Sequence, residues 1–162
     1  MDIEKNITHT TFFLLVVANL SLAQPSGSLS FTPSFSAIIV NDIDTSKAWY
    51  QEIFDLEVTS EFASEERGFS MVNLGNERFQ LELLELQIAI DPTEVLKETG
   101  EKTRFIGFFK TGFKVDYFDS WIKHLELKKV QFNGQVVSDP TTNKRMIIVL
   151  DPDGNRIQFF GK

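Results

Sequence analysis

The sequence predicts an α+β domain made of two tandem βαβββ units, and three observations carry that expectation. Runs with the alternation of strands recur through residues 34–162, each half has one stretch of helical spacing directly after its first strand, and turn-forming residues separate the other runs. The first unit spans 34–86. It opens with Phe35–Asp42, a β-rich run, followed by Thr45–Phe54, where Ala48, Trp49 and Ile53 lie at helical spacing and Asp44 or Thr45 is suited to the N-cap. Three strand-like runs follow, Leu56–Phe62, Phe69–Leu74 and Arg78–Glu85, separated by the polar stretch 64–68 and by the turn at Gly75-Asn76. The second unit, 104–162, repeats the order: strand Phe105–Val115, helix Tyr117–Leu127, then strands Val130–Val137, Arg145–Leu150 and Arg156–Phe160. Asp139-Pro140 and Asp151-Pro152-Asp153-Gly154 supply its turns. Between the units, residues 91–100 combine an N-cap (Asp91), a proline at the first helical position and a terminating glycine, which predicts a short linker helix suited to spacing or to covering a pocket.

A chain of 162 residues with 42% hydrophobic residues can bury one core. Sixteen Phe against two Tyr and two Trp favour a packed interior or an apolar pocket, since most of these rings carry no polar group. A net charge of -7 excludes a nucleic-acid backbone or an anionic membrane as the main partner, because both select Lys/Arg clusters. The stretch Thr11–Ala23 is apolar, too short to span a bilayer, and ends in small residues at Ser21 and Ala23, which predicts a secretory signal over 1–23 with cleavage after Ala23. A Pro/Gly/Ser-rich linker, 24–33, follows it. The expectation is therefore an exported protein, periplasmic or secreted, with no stable membrane span after cleavage. Its mature chain keeps one histidine, His124, and no cysteine, so neither a disulfide nor a thiolate is available. His124, among lysines on a predicted helix, is expected to be solvated; Trp49, Tyr50 and Trp121 are expected in the core.

Alternation sorts the strand side chains into two faces. One face gathers Ile38, Val40, Leu81, Leu83, Phe113, Val115, Ile157 and Phe159, an apolar set that helices can cover. The other mixes Phe35, Ala37, Ile39, Gln80, Glu82, Leu84, Phe108, Lys110, Gly112, Arg156, Gln158 and Phe160. Apolar walls with a few fixed polar groups suit a small-molecule pocket.

The paired units, the run Val40–Tyr50 after the first strand, and the closing Leu150-Asp-Pro-Asp-Gly-Asn-Arg-Ile-Gln158 resemble the vicinal oxygen chelate superfamily. This superfamily includes glyoxalase I, extradiol dioxygenases, fosfomycin-resistance enzymes and bleomycin-binding proteins. The resemblance covers roughly residues 34–162 and implies a half-open, barrel-like mixed sheet around a central cavity. In metal-dependent members, ligands come from the first and last strands of each unit; the matching positions here are Phe35, Glu82, Lys110 and Gln158, with offsets of 110 - 35 = 75 and 158 - 82 = 76. Phe35 cannot coordinate, and a lysine ammonium repels a cation. Gln158 offers one neutral oxygen to a hard cation, so any divalent metal would rest on Glu82 and Gln158 alone.

The resemblance thus favours a binding protein without a cofactor, its ligand meeting Phe35, Gln80, Glu82, Phe108, Lys110, Arg156, Gln158 and Phe160. Two readings of Glu82 and Lys110 stand side by side: a structural ion pair filling a vestigial site, or Lys110 with Arg156 receiving an anionic or carbonyl ligand while Glu82 acts as base. The rival functions are an enzyme of the same fold, using Glu82 and Lys110 as catalytic groups or an atypical divalent cation at Glu82 and Gln158, and a structural or partner-binding domain with a filled cavity. The resemblance implies a pocket built either within a tandem chain or across a dimer, and, with an exposed first strand after a flexible linker, a homodimer is the expectation here.

Overall fold

The computed structural model describes residues 33–100 and 103–161. The expected export signal, 1–23, lies outside the described residues, and among them no helix is long and apolar enough to cross a membrane.

The first unit begins with β1 (Ser36–Val40), whose Ile38 and Val40 turn toward the core while Ala37 and Ile39 face outward. Helix α1 (Ile43–Phe54) then crosses back, and β2 (Glu57–Ser64), β3 (Phe69–Gly75) and β4 (Gln80–Leu86) follow as an antiparallel meander. The crossover returns β4 parallel to β1, with Ala37 opposite Glu82, and gives the strand order β1-β4-β3-β2. Strand β2 is an edge, almost wholly exposed, and a register shift between Val58 and Ser60 interrupts its pairing. Such a bulge discourages edge-to-edge association. Helix α2 (Pro92–Thr99) follows, capped by Asp91 and closed by Gly100, as the sequence predicts.

The second unit comprises β5 (Thr111–Val115), α3 (Phe118–Leu127), β6 (Gln131–Phe132), β7 (Val137–Ser138), β8 (Arg145–Leu150) and β9 (Arg156–Gly161). Its order is β5-β9-β8-β6, with β7 also on β8 and β5 parallel to β9. The architecture is mixed α+β: two four- and five-stranded sheets and three helices among the described residues, without closure into a barrel.

Three local expectations need correction. The N-cap of α1 is Asp42 rather than Asp44 or Thr45: its extended backbone lets the carboxylate accept from the Thr45 amide at 2.7 Å. The strand expected over Phe105–Val115 starts only at Thr111, whose partner is Ile157; β9 begins at Arg156, opposite Lys110, so residues before Lys110 have no β9 residue to pair with. The strand expected over Val130–Val137 is broken. Gln131 pairs with Leu150 and Val137 with Met146, so 137 - 131 = 6 steps meet 150 - 146 = 4, and the surplus loops out where Gly134 adopts φ 104°.

The helix-facing sides of both sheets form the core, and all eight residues of the expected apolar set are buried or half-buried there. Phe54, at the end of α1, joins the units: its ring centroid lies 5.2 Å from Phe113, 5.8 Å from Phe159 and 6.2 Å from Trp121. Tyr50 is buried, and Trp49 and Trp121 pack against the same cluster, as expected.

A polar clamp also ties the units together. The Asp151-Pro152-Asp153-Gly154 turn seats against the start of α1: the Tyr50 hydroxyl donates to Asp151 Oδ2 at 2.8 Å, while Asp153 accepts from the Asn41 amide and the Ser46 hydroxyl, each at 3.1 Å. Asp151 also accepts from the Asp153 and Asn155 amides and from Asn155 Nδ2, which satisfies its buried oxygens. Burial pushes the Asp151 carboxyl up despite these bonds, and burial followed by the Asp151 charge pushes the Tyr50 phenol up.

Candidate functional site

Strands β1 and β5 end their respective sheets, and the chain leading into β5 is an extended, irregular strap, residues 103–110. Between β1, the strap and the start of β9 lies a cavity of about 610 Å³. Phe35, Ile39, Phe108 and Phe109 provide its apolar wall, and Lys110 and Arg156 provide its charges. The strap keeps its aromatic side chains out of the core because no strand pairing turns alternate residues inward. Phe108 and Ile106 are fully exposed, and Phe35 is 61% exposed. Arg156 is anchored from one side, its Cζ lying 4.8 Å from the centre of the Phe109 ring.

Four of the eight expected ligand-contacting residues, Phe35, Phe108, Lys110 and Arg156, therefore meet at this cavity. Gln80, Glu82, Gln158 and Phe160 are not among its lining residues. Glu82 is half-buried in mid-β4 between Ala37 and Asn73, whereas Lys110 lies on the strap, one residue before β5. No ion pair joins the two among the described residues, so the first reading of them as a plugging pair does not describe this structure.

Gln158 is buried, at 2% exposure, between Gly112 and Ile148. Its Nε2 donates to Met146 Sδ at 2.7 Å, a weak acceptor, and its Oε1 has no partner. The ring of Phe160 covers Gly112 so closely that a Cβ there would come within 3.3 Å of it. Met146 and Phe160 thus fill the second unit's share of the open face, which is why Gln158 is sealed off while the first unit's Ala37 and Ile39 remain exposed.

The donor set does not fit the metal that the fold family implies. Phe35 supplies a ring and Lys110 a cation, and no group of three or more His, Cys, Asp or Glu side chains is placed to hold a metal among the described residues. Glu82 with the free carbonyl of Gln158 gives at most three oxygen donors, short of the six to eight that calcium takes. The single described imidazole is committed elsewhere: His124 is half-buried, not solvated as its lysine neighbours suggest, and its Nε2 lies 3.2 Å from the Ile53 carbonyl.

Alternation along the sequence identified the two faces but missed two contacts. The stacking of Phe109 on Arg156 depends on an irregular strap, for which periodicity carries no signal. The Tyr50–Asp151 bond joins residues 101 positions apart.

Residues 33–159 match the profile of the Glyoxalase/Bleomycin resistance protein/Dioxygenase superfamily. The chain is 29% identical to the uncharacterized protein YaeR of Escherichia coli over 125 residues, which is 76% of this chain and 91% of YaeR. Among solved structures it resembles a glyoxalase family protein from Enterococcus faecalis (TM-score 0.66, 22% identity, 78% of this chain and 94% of that one). It also resembles the fosfomycin resistance protein FosX from Listeria monocytogenes (TM-score 0.61, 13% identity, 82% and 94%). These two likenesses are of fold, in agreement with the paired βαβββ units. The chain belongs to the Glyoxalase/Bleomycin resistance protein/Dioxygenase superfamily, the vicinal oxygen chelate fold.

Proposed function

We propose that this protein is an exported binder of a small organic molecule, held in the cavity between β1 and the strap, and that it works without the metal centre of the fold family. The observation that carries this reading is the replacement at the ligand positions: Phe35 and Lys110 stand at the cavity, and Gln158 lies buried behind Met146 and Phe160. A cavity of about 610 Å³ with aromatic walls and few charges has the size and composition of a small-molecule site. The enzyme reading is weaker, because its base, Glu82, does not line the cavity that Lys110 does.

The test is elemental analysis with native mass spectrometry, before and after adding nickel, zinc, manganese and iron. The expected outcome is no stoichiometric metal under any condition, together with a folded protein. One metal per chain, lost in Glu82→Gln, would overturn the proposal and make the protein a metalloenzyme candidate.

A further inference from the structure

The charges of the cavity identify the class of ligand. The chain as a whole carries -7, yet of the eleven residues lining this cavity two are cations, Lys110 and Arg156, and none is a carboxylate. Neither forms an ion pair among the described residues, whereas Lys47, Lys97, Lys128 and Arg145 do. These two cations share one concave site beside Phe35 and Phe108. The Phe109 ring, 4.8 Å from Arg156 Cζ, steadies the guanidinium through its π face without accepting from its N–H donors, so the fork stays free to grip two oxygens at once. Phe35 and Phe108, both exposed, offer apolar area that only an apolar partner would remove from water.

We infer that the ligand is a compact amphipathic anion, an aryl or alkyl carboxylate in its simplest form. Its charged end sits between Lys110 and Arg156, and its apolar body lies against Phe35, Ile39 and Phe108. The inference rests on the proposed binding function and adds the ligand's charge to it.

Naphthylacetate and its neutral amide, naphthylacetamide, share one apolar body and differ in charge. Titration calorimetry of the purified protein should show one naphthylacetate per chain, bound at least about tenfold more tightly than the amide, since charge-assisted bonds are the stronger ones. Lys110→Gln with Arg156→Gln should abolish that preference, so that both probes bind within about twofold of each other. Lys110→Gln alone changes an exposed strap residue that makes no ion pair. It should remove part of the preference, and it keeps the test open if the double variant does not fold. Equal binding of both probes, unchanged in the variants, would overturn the anion assignment and leave an apolar binding site standing. Failure of both probes to bind would overturn the assignment and the binding function together.

Discussion

The phenol of Tyr50 shows how much a single polar atom can hold. It is buried, it donates to the Asp151 carboxylate at 2.8 Å, and that carboxylate is itself buried and anchors the turn leading into β9. Tyr50→Phe keeps the ring in its aromatic cluster and removes only the donor, leaving a buried carboxylate one partner short. We expect a loss of about 1–3 kcal/mol, the cost of an unsatisfied buried polar group, read as a lower urea midpoint with an unchanged slope. A change below the error of the midpoint would mean that water replaces the phenol and that the clamp is not tight. At this scale the sequence is a partial guide. Tyr50 in the core and Phe35 at the cavity are legible from spacing and from the family resemblance. The partners of Asp151, Gln158 and His124 are not, because each contact joins segments whose proximity only the folded chain creates.

At the scale of elements, alternation and punctuation carry most of the information. The limits of α2 and β8 follow from Asp91-Pro92, Gly100 and a regular apolar run. The misread elements share a cause: β5 and β6 depend on a partner strand for their extent, and the chain before Lys110 is as strand-like in composition as β5 while lying beyond the start of β9. The start of α1 is the instructive case, because Asp42 is the cap and the Glu85 carboxylate accepts from the next amide, Ile43 N, at 2.8 Å. The hydrogen bond from the Thr45 amide holds the Asp42 carboxyl below its ordinary value of 3.8, with Asp91 and Asp139 lowered in the same way by Thr93 and Thr142. A lowered folded-state pKa means that the unfolded chain takes up the proton first as pH falls. Stability from these caps is therefore complete above the ordinary Asp value and is lost as pH drops through the lowered one. Asn caps a helix about as well as Asp but does not titrate. Asp42→Asn should melt close to the parent at neutral pH and lose less on going to about pH 3. Parallel acid loss in the two proteins would show that Asp42 contributes nothing to the pH dependence.

For the whole molecule, the open question is what covers the exposed apolar residues near the cavity. Ile106 and Phe108 are fully exposed, Phe105 and Phe109 more than half so, and Ile39 lies close by on the end strand β1. A monomer that leaves such a cluster in water carries an aggregation liability unless something shields it. Among the described residues strand β1 pairs with β4 alone, so its other edge can also accept a second chain. We propose that two copies meet through the strap and the β1 edge, each narrowing the mouth of the other's cavity. Light scattering across a concentration series should then give twice the monomer mass, and Ile106→Ser with Phe108→Ser should shift the protein toward the monomer. Because both side chains are fully exposed in the single chain, their loss should leave the melting behaviour of the monomer unchanged. A parent protein that stays monomeric at the highest concentration would assign the apolar cluster to the ligand alone. Tight binding of the amphipathic anion, with no change of mass on loading, would then be the required companion result.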